Sequence, residues 1–272
     1  MRSYLRQLSG LAALVVALMT FAALPAAADL LKEIRDRGVF RVGMAETQPW
    51  QAPNPETGTY EGINVELAER AAAIMGVKLE IVPATWATLV PGLDANQFDA
   101  VFANLFATPE RALVVDFTEP YFTYGFHIVV NADSKIQSLA DLNSPDVTFV
   151  GQSGTVEESY PKELYPNAKV RGVVTNDVAA WISEVASGQA DAAFLDPGTF
   201  RLLKAKNPAF EKRLRVLNGE DALIKPVGLA YAIRAGEPHF LNFLNMFLSD
   251  VVRNGENVKL RDKWFDALAK RQ

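Results

Sequence analysis

Cysteine is absent from the chain. No disulfide can therefore staple this fold, and a thiolate zinc site is excluded. Histidine is scarce: His127 stands in an apolar stretch and His239 follows Pro238, far away along the chain. With no cysteine beside them the two histidines do not suggest a metal site, and both are expected to be structural. There is no GxxxxGK phosphate loop and no Gly-x-Ser-x-Gly elbow, so the common signatures of nucleotide hydrolysis and serine acyl transfer are missing. Positive charge is not in excess either: 27 Lys and Arg face 32 Asp and Glu, a formal net charge of −5. That balance favours solubility and argues against a nucleic acid or an anionic membrane as partner. Low-complexity linkers, heptads and strong internal repeats are missing too.

One long apolar run exists, over residues 11–24. Arg2 and Arg6 precede it and Ala26-Ala27-Ala28 closes it with small residues. It is short for a membrane span of about 20 residues. Residues 1–28 are therefore expected to be a cleavable secretory signal. Its removal takes away two arginines and no acid, leaving the mature chain from Asp29 more acidic still. No later run is apolar enough to cross a bilayer, and no cysteine offers a lipid anchor. The mature protein is expected to be a soluble, monomeric resident of the periplasm.

The remainder reads as alternating strands and helices. Residues 40–44, 78–82 and 98–102 are predicted strands, with helices over 62–75 and 86–95 between them. The pattern then restarts, with strands near 126–130, 147–150, 170–174 and 190–195 and helices over 156–164, 177–187 and 198–206. A strand at 228–233 and helices over 237–253 and 256–269 close the chain. This order predicts an α/β fold of two sandwich lobes with largely parallel sheets. The closing helices have no sheet of their own to cover, so they are expected to pack on the first lobe. The chain then crosses between lobes twice, near 122–127 and 222–228. Lobe 1 is expected to comprise residues 29–124 and 225–272, and lobe 2 residues 125–224. Two connecting strands would form a hinge, with the ligand site in the cleft.

Two segments carry chemistry. In Ala107-Thr108-Pro109-Glu110-Arg111, the arginine puts a permanent cation with a planar fork of donors at a loop-to-helix junction, suited to a carboxylate. In Asp191-Ala192-Ala193-Phe194-Leu195-Asp196-Pro197, Asp196 closes a short buried strand, where open α/β sheets place ligands. Asp196 can equally cap the helix that Pro197 begins, and a surface pair of Arg111 with Glu110 or Asp116 is the lesser alternative for the arginine. Taken together, a guanidinium in one lobe and a carboxylate in the other fit the zwitterion of a free α-amino acid, which only lobe closure would bring onto both partners.

At this point the mature chain resembles the periplasmic solute-binding proteins of the polar amino acid family (family 3), which serve ATP-driven importers. The matching stretches occur in family order: Val42-Gly43, Tyr60-Glu61-Gly62-Ile63-Asn64-Val65-Glu66-Leu67-Ala68, residues 86–93, Phe98-Asp99-Ala100-Val101, Thr108-Pro109-Glu110-Arg111, Asp116-Phe117-Thr118-Glu119-Pro120-Tyr121, Gly154-Thr155 and residues 191–196. The resemblance implies a two-lobed binding protein that captures an amino acid or related zwitterion and delivers it to a membrane permease, with no cofactor. It also implies roles: Arg111 and Thr155 at the ligand carboxylate, Asp196 at its amino group, Trp86 as an aromatic platform, and Asn104 as a polar contact to either end.

Two positions depart from the family pattern. Phe106 stands where Ser or Thr is usual, and Thr47 where a second aromatic is common. Glu46 would reach a cationic ligand side chain, although a loop glutamate is more often solvated; Gln152 is a further polar contact. Two alternatives share the scaffold. One is an enzyme like the cyclohexadienyl dehydratases, with Glu157 or Glu158 as the acid that expels water; those glutamates also suit the first turn of a helix. The other is a ligand-sensing receptor subunit.

Overall fold

The structure is a computed structural model that describes residues 29–219 and 222–270. The expected signal, residues 1–28, lies outside them. In chain order the elements are α1 (Leu30–Arg37), β1 (Val39–Ala45), β2 (Ala52–Pro53), β3 (Tyr60–Glu61), α2 (Ile63–Met75), β4 (Lys78–Ala84), α3 (Trp86–Asp94), β5 (Ala100–Phe106) and β6 (Val115–Phe117). They continue with β7 (Phe122–Asn131), β8 (Thr148–Gln152), α4 (Val156–Leu164), β9 (Lys169–Val173), α5 (Val178–Ser187), β10 (Ala192–Leu195), α6 (Pro197–Lys206) and α7 (Pro208–Arg213). The chain closes with β11 (Leu214–Val216), β12 (Ile224–Arg234), α8 (Pro238–Arg253) and α9 (Glu256–Lys270).

Strand order explains the two lobes. In the first, β1 lies between β4 and β5, parallel to both, with Val42 opposite Ile81 and Ala100. In the second, β8 lies between β10 and β9, again parallel. Strands enclosed by helices on both faces lose the alternation of a half-exposed sheet, and β10 is buried at every position. The two lobes meet through β7 and β12, both antiparallel to their neighbours. Residues 122–126 of β7 pair with residues 224–229 of β12. Farther along, β7 pairs with β10 and β12 pairs with β5. One curled sheet thus runs β4-β1-β5-β12-β7-β10-β8-β9, and its centre is the two-strand connection. The expectation of largely parallel sheets holds within each lobe but not at these two linking strands.

Local chemistry sets the helix ends. Asp29 caps α1 by accepting from the Leu31 N–H at 3.1 Å, and Gly38 stops that helix in the left-handed region at φ 73°, where a residue without Cβ is unstrained. The closing helix α9 packs on α8 and α2 of the first lobe, and Trp264 Nε1 donates to Glu66 Oε1 at 2.6 Å. Among the described residues no helix is long and apolar enough to cross a membrane.

The edge of the first lobe is tied by Asp99. Its side chain is 2 % exposed; it accepts from Arg41 N at 2.9 Å and Arg41 Nη2 at 2.8 Å, and also pairs with Arg37. Replacing Asp99 with alanine strips both arginines of their anion. Because each arginine is only partly buried, the expected loss is about 2–3 kcal/mol, below the 3–5 typical of fully buried pairs. Urea unfolding checks this, and an unchanged midpoint would show the cluster to be inert.

Candidate functional site

A cavity lies between the lobes, with about 500 Å³ of empty space including the solvent at its mouth. Eight of the nine residues singled out in the sequence line it: Thr47, Trp86, Asn104, Phe106, Arg111, Gln152, Thr155 and Asp196. The ninth, Glu46, does not. It lines the adjoining outer opening, and its Oε1 accepts from the Tyr60 hydroxyl at 3.3 Å.

Each wall has a local cause. Arg111 begins a single 3-10 turn (Arg111–Leu113) after β5. Its Nη1 donates to the Phe106 carbonyl at 2.7 Å, which folds the side chain back over the strand end. Its Nη2 donates to the Gly154 carbonyl at 2.7 Å, a bond that crosses from one lobe to the other. Neither Glu110 nor Asp116 takes the guanidinium at these two nitrogens; Asp116 Oδ2 instead accepts from Gly236 N at 2.9 Å. Trp86 is the first residue of α3, turned inward at a helix start where the Thr85 N–H donates to Thr88 Oγ1.

On the opposite wall Thr155 and Asp196 occupy the N-caps of α4 and α6. The Thr155 hydroxyl donates to the Gln152 carbonyl at 2.7 Å, so the two residues hold one tight turn. Asp196 Oδ1 accepts from the Thr199 N–H at 2.9 Å. The capping role and the cavity role are therefore compatible, because a carboxylate has lone pairs for both.

Asn104 belongs to a buried relay. Its Oδ1 accepts from Gln51 Nε2 at 3.1 Å, and Gln51 Oε1 accepts from Asn64 Nδ2 at 2.7 Å. Asn64 Oδ1 in turn accepts from the hydroxyls of Tyr121 at 2.9 Å and Tyr231 at 2.8 Å. With its oxygen engaged by Gln51, Asn104 keeps its amide donor for the cavity. That orientation suits a ligand oxygen better than a ligand ammonium.

Burial shapes the electrostatics. It draws the Arg111 pKa down, against the opposing charges of Glu157, Tyr160 and Glu110; a guanidinium stays protonated regardless. It pushes the Asp196 carboxyl up, partly offset by the bonds from Thr199. Glu157 is likewise pushed up by burial and by Asp196, against the neighbouring Thr155 hydroxyl and Arg111.

Of the lining residues not singled out as ligand contacts in the sequence, Glu157 and Trp181 carry the most chemistry. Glu157 stood out only as an acid for the enzyme alternative. Glu157 and Glu158 are neighbours, yet one helical step of 100° separates their directions. Glu158 bonds Gly154 N at 3.0 Å and Lys162 Nζ at 2.8 Å, while Glu157 turns to the cavity. Trp181, on α5, is 1 % exposed and reads as ordinary helix core. Its Nε1 has no hydrogen-bond partner among the described residues. No group of three or more acidic or histidine side chains among the described residues is arranged to hold a metal.

Comparison with known proteins gives a consistent family. Residues 40–267 match the family model for bacterial extracellular solute-binding proteins, family 3. The chain is 31 % identical to the arginine-binding extracellular protein ArtP of Bacillus subtilis (strain 168) over 204 residues, covering 75 % of this chain and 77 % of that one. Among solved structures it resembles an ancestral amino acid-binding protein described as a precursor of cyclohexadienyl dehydratase. The identity is 37 % and the TM-score 0.71, with 86 % of this chain and 99 % of that one covered. It also resembles a putative ABC-transporter binding component from Wolinella succinogenes complexed with lysine, at 33 % identity and a TM-score of 0.72, covering 84 % and 96 % of the two chains.

Proposed function

The chain belongs to the bacterial extracellular solute-binding proteins of family 3, and we propose that it is the extracytoplasmic substrate-binding component of an amino acid ABC importer. The observation that carries this reading is the lining of the cavity by Arg111 from one lobe and Asp196 from the other. A free α-amino acid offers a carboxylate to the first and an ammonium to the second. Charge-assisted hydrogen bonds at both ends, in a cleft emptied of water, supply most of the affinity. The Asn104 amide shares the carboxylate, Trp86 and Phe106 pack on the ligand, and Thr155, Gln152 and Thr47 complete the wall. The family role of Thr155 at the carboxylate would need its hydroxyl to turn from the Gln152 carbonyl to the ligand.

The lobes take residues 29–124 with 225–272, and residues 125–224; the central strands β7 and β12 act as the hinge. Closure on a ligand presents the closed form to a membrane permease in the periplasm, after removal of residues 1–28. Thermal unfolding with each of the common amino acids tests the reading. A binder present at 100 times its dissociation constant adds about 2.7 kcal/mol of stability. At least one amino acid is expected to stabilise the protein and sugars are not; a flat screen would sink the proposal.

One observation favours a second reading. Glu157 is a cavity acid whose affinity for a proton is raised by burial, as the dehydration of a carboxylate-bearing ring would need. On the binding-protein reading, incubation with prephenate or arogenate leaves both unchanged. Formation of phenylpyruvate or phenylalanine would make the protein an enzyme.

A further inference from the structure

Three charged side chains line the cavity: Arg111, Asp196 and Glu157. A neutral amino acid answers two of them and leaves the third. Glu157 Oε2 is buried and has no hydrogen-bond partner among the described residues. The usual task of a first-turn glutamate, complementing the N-terminus of its own helix, already belongs to Glu158, which accepts from Gly154 N at 3.0 Å. Arg111 does not bond that oxygen: its side-chain bonds run to the carbonyls of Phe106 and Gly154, and its remaining N–H groups are left for a ligand carboxylate.

We propose that the cavity takes a cationic α-amino acid, with Glu157 pairing with the positive group of the ligand side chain. This rests on the amino acid reading above and adds the ligand's net charge and the residue that selects it. One guanidinium against two carboxylates leaves the walls one charge negative when both acids are ionised, and a ligand with one carboxylate and two cationic groups neutralises them. A neutral ligand leaves one carboxylate buried and unanswered, which a low-dielectric site tolerates poorly. Trp86 and Phe106 also line the cavity, and aromatic faces attract a guanidinium or an ammonium.

Calorimetric titration of L-arginine, L-lysine and L-citrulline tests the proposal, since citrulline copies the shape of arginine without its charge. L-Arginine or L-lysine is expected to bind at least tenfold more tightly than citrulline. Glu157→Gln is expected to reduce that preference at least tenfold while leaving citrulline binding in place, which also shows that the variant is folded. Should the variant fail to fold, the preference of the parent protein decides alone. Citrulline binding as tightly as both cationic ligands, or a preference surviving Glu157→Gln, would overturn the inference and leave amino acid capture standing. Absence of binding by every amino acid would instead remove the reading beneath it.

Discussion

Arg111→Ala is expected to weaken ligand binding by about 2–5 kcal/mol, roughly 30-fold to several thousand-fold in dissociation constant. The scale follows from geometry. A ligand carboxylate in this cavity is screened from water, so losing its cation leaves a desolvated charge with poor compensation. Alanine also removes the bonds to the Phe106 and Gly154 carbonyls, one of which joins the lobes. Arg111→Lys separates the two contributions. Lysine keeps the charge but cannot reproduce the planar fork, so its affinity should fall between those of the parent and the alanine variant. Calorimetry with the ligand found by the thermal screen makes the measurement. Parent-like affinity in Arg111→Ala would mean that the carboxylate binds elsewhere.

The second large effect concerns a residue with no side chain. Gly154 has φ +81°, and a Cβ built on it would lie 2.6 Å from Ala87 Cα and 2.9 Å from Ala87 N. Ala87 belongs to α3 of the first lobe and Gly154 to the second, so the missing methyl permits close approach of backbone to backbone across the cleft. Gly154→Ala should therefore act in two ways. The left-handed backbone costs about 1–2 kcal/mol of stability whether the cleft is open or closed. The overlap with Ala87 arises only on closure and should cost a further 1–3 kcal/mol, the range for overpacked contacts. Ligand affinity is then expected to fall about 5- to 150-fold. Small-angle scattering at saturating ligand should report a more open particle than the parent. A variant that binds and compacts like the parent would show that the lobes do not need this contact.

Part of the site was visible in the sequence because its residues sit at element ends that sequence signals mark. Asp196 precedes Pro197 at a strand-to-helix junction, and Thr155 follows Gly154 at another. Arg111 was conspicuous as a cation in a short turn beyond a buried strand. The elements themselves follow the predicted pattern closely, and α4 falls on its predicted residues. The two linking strands were predicted, but their antiparallel direction was not. β7 and β12 are apolar like their parallel neighbours, and hydrophobic periodicity does not encode direction. The short pieces β2, β3, β6, β11 and α7 were missed because two to six residues carry too little pattern. Glu46 illustrates a further limit. Its place in a loop beside other cavity residues says nothing about direction, and the hydroxyl of Tyr60, 14 positions away, takes its carboxylate.

By itself the sequence determined the alternation of strands and helices, the two-lobed α/β architecture and the opposite charges available to a zwitterion, because these depend on local periodicity, capping and residue chemistry. Tertiary structure alone decided which of two adjacent glutamates enters the cavity, which end of the Asn104 amide is already engaged, and where two backbones touch without a methyl between them. Those properties come from directions and distances between segments far apart along the chain, and the order of residues does not specify such directions until the whole chain has packed.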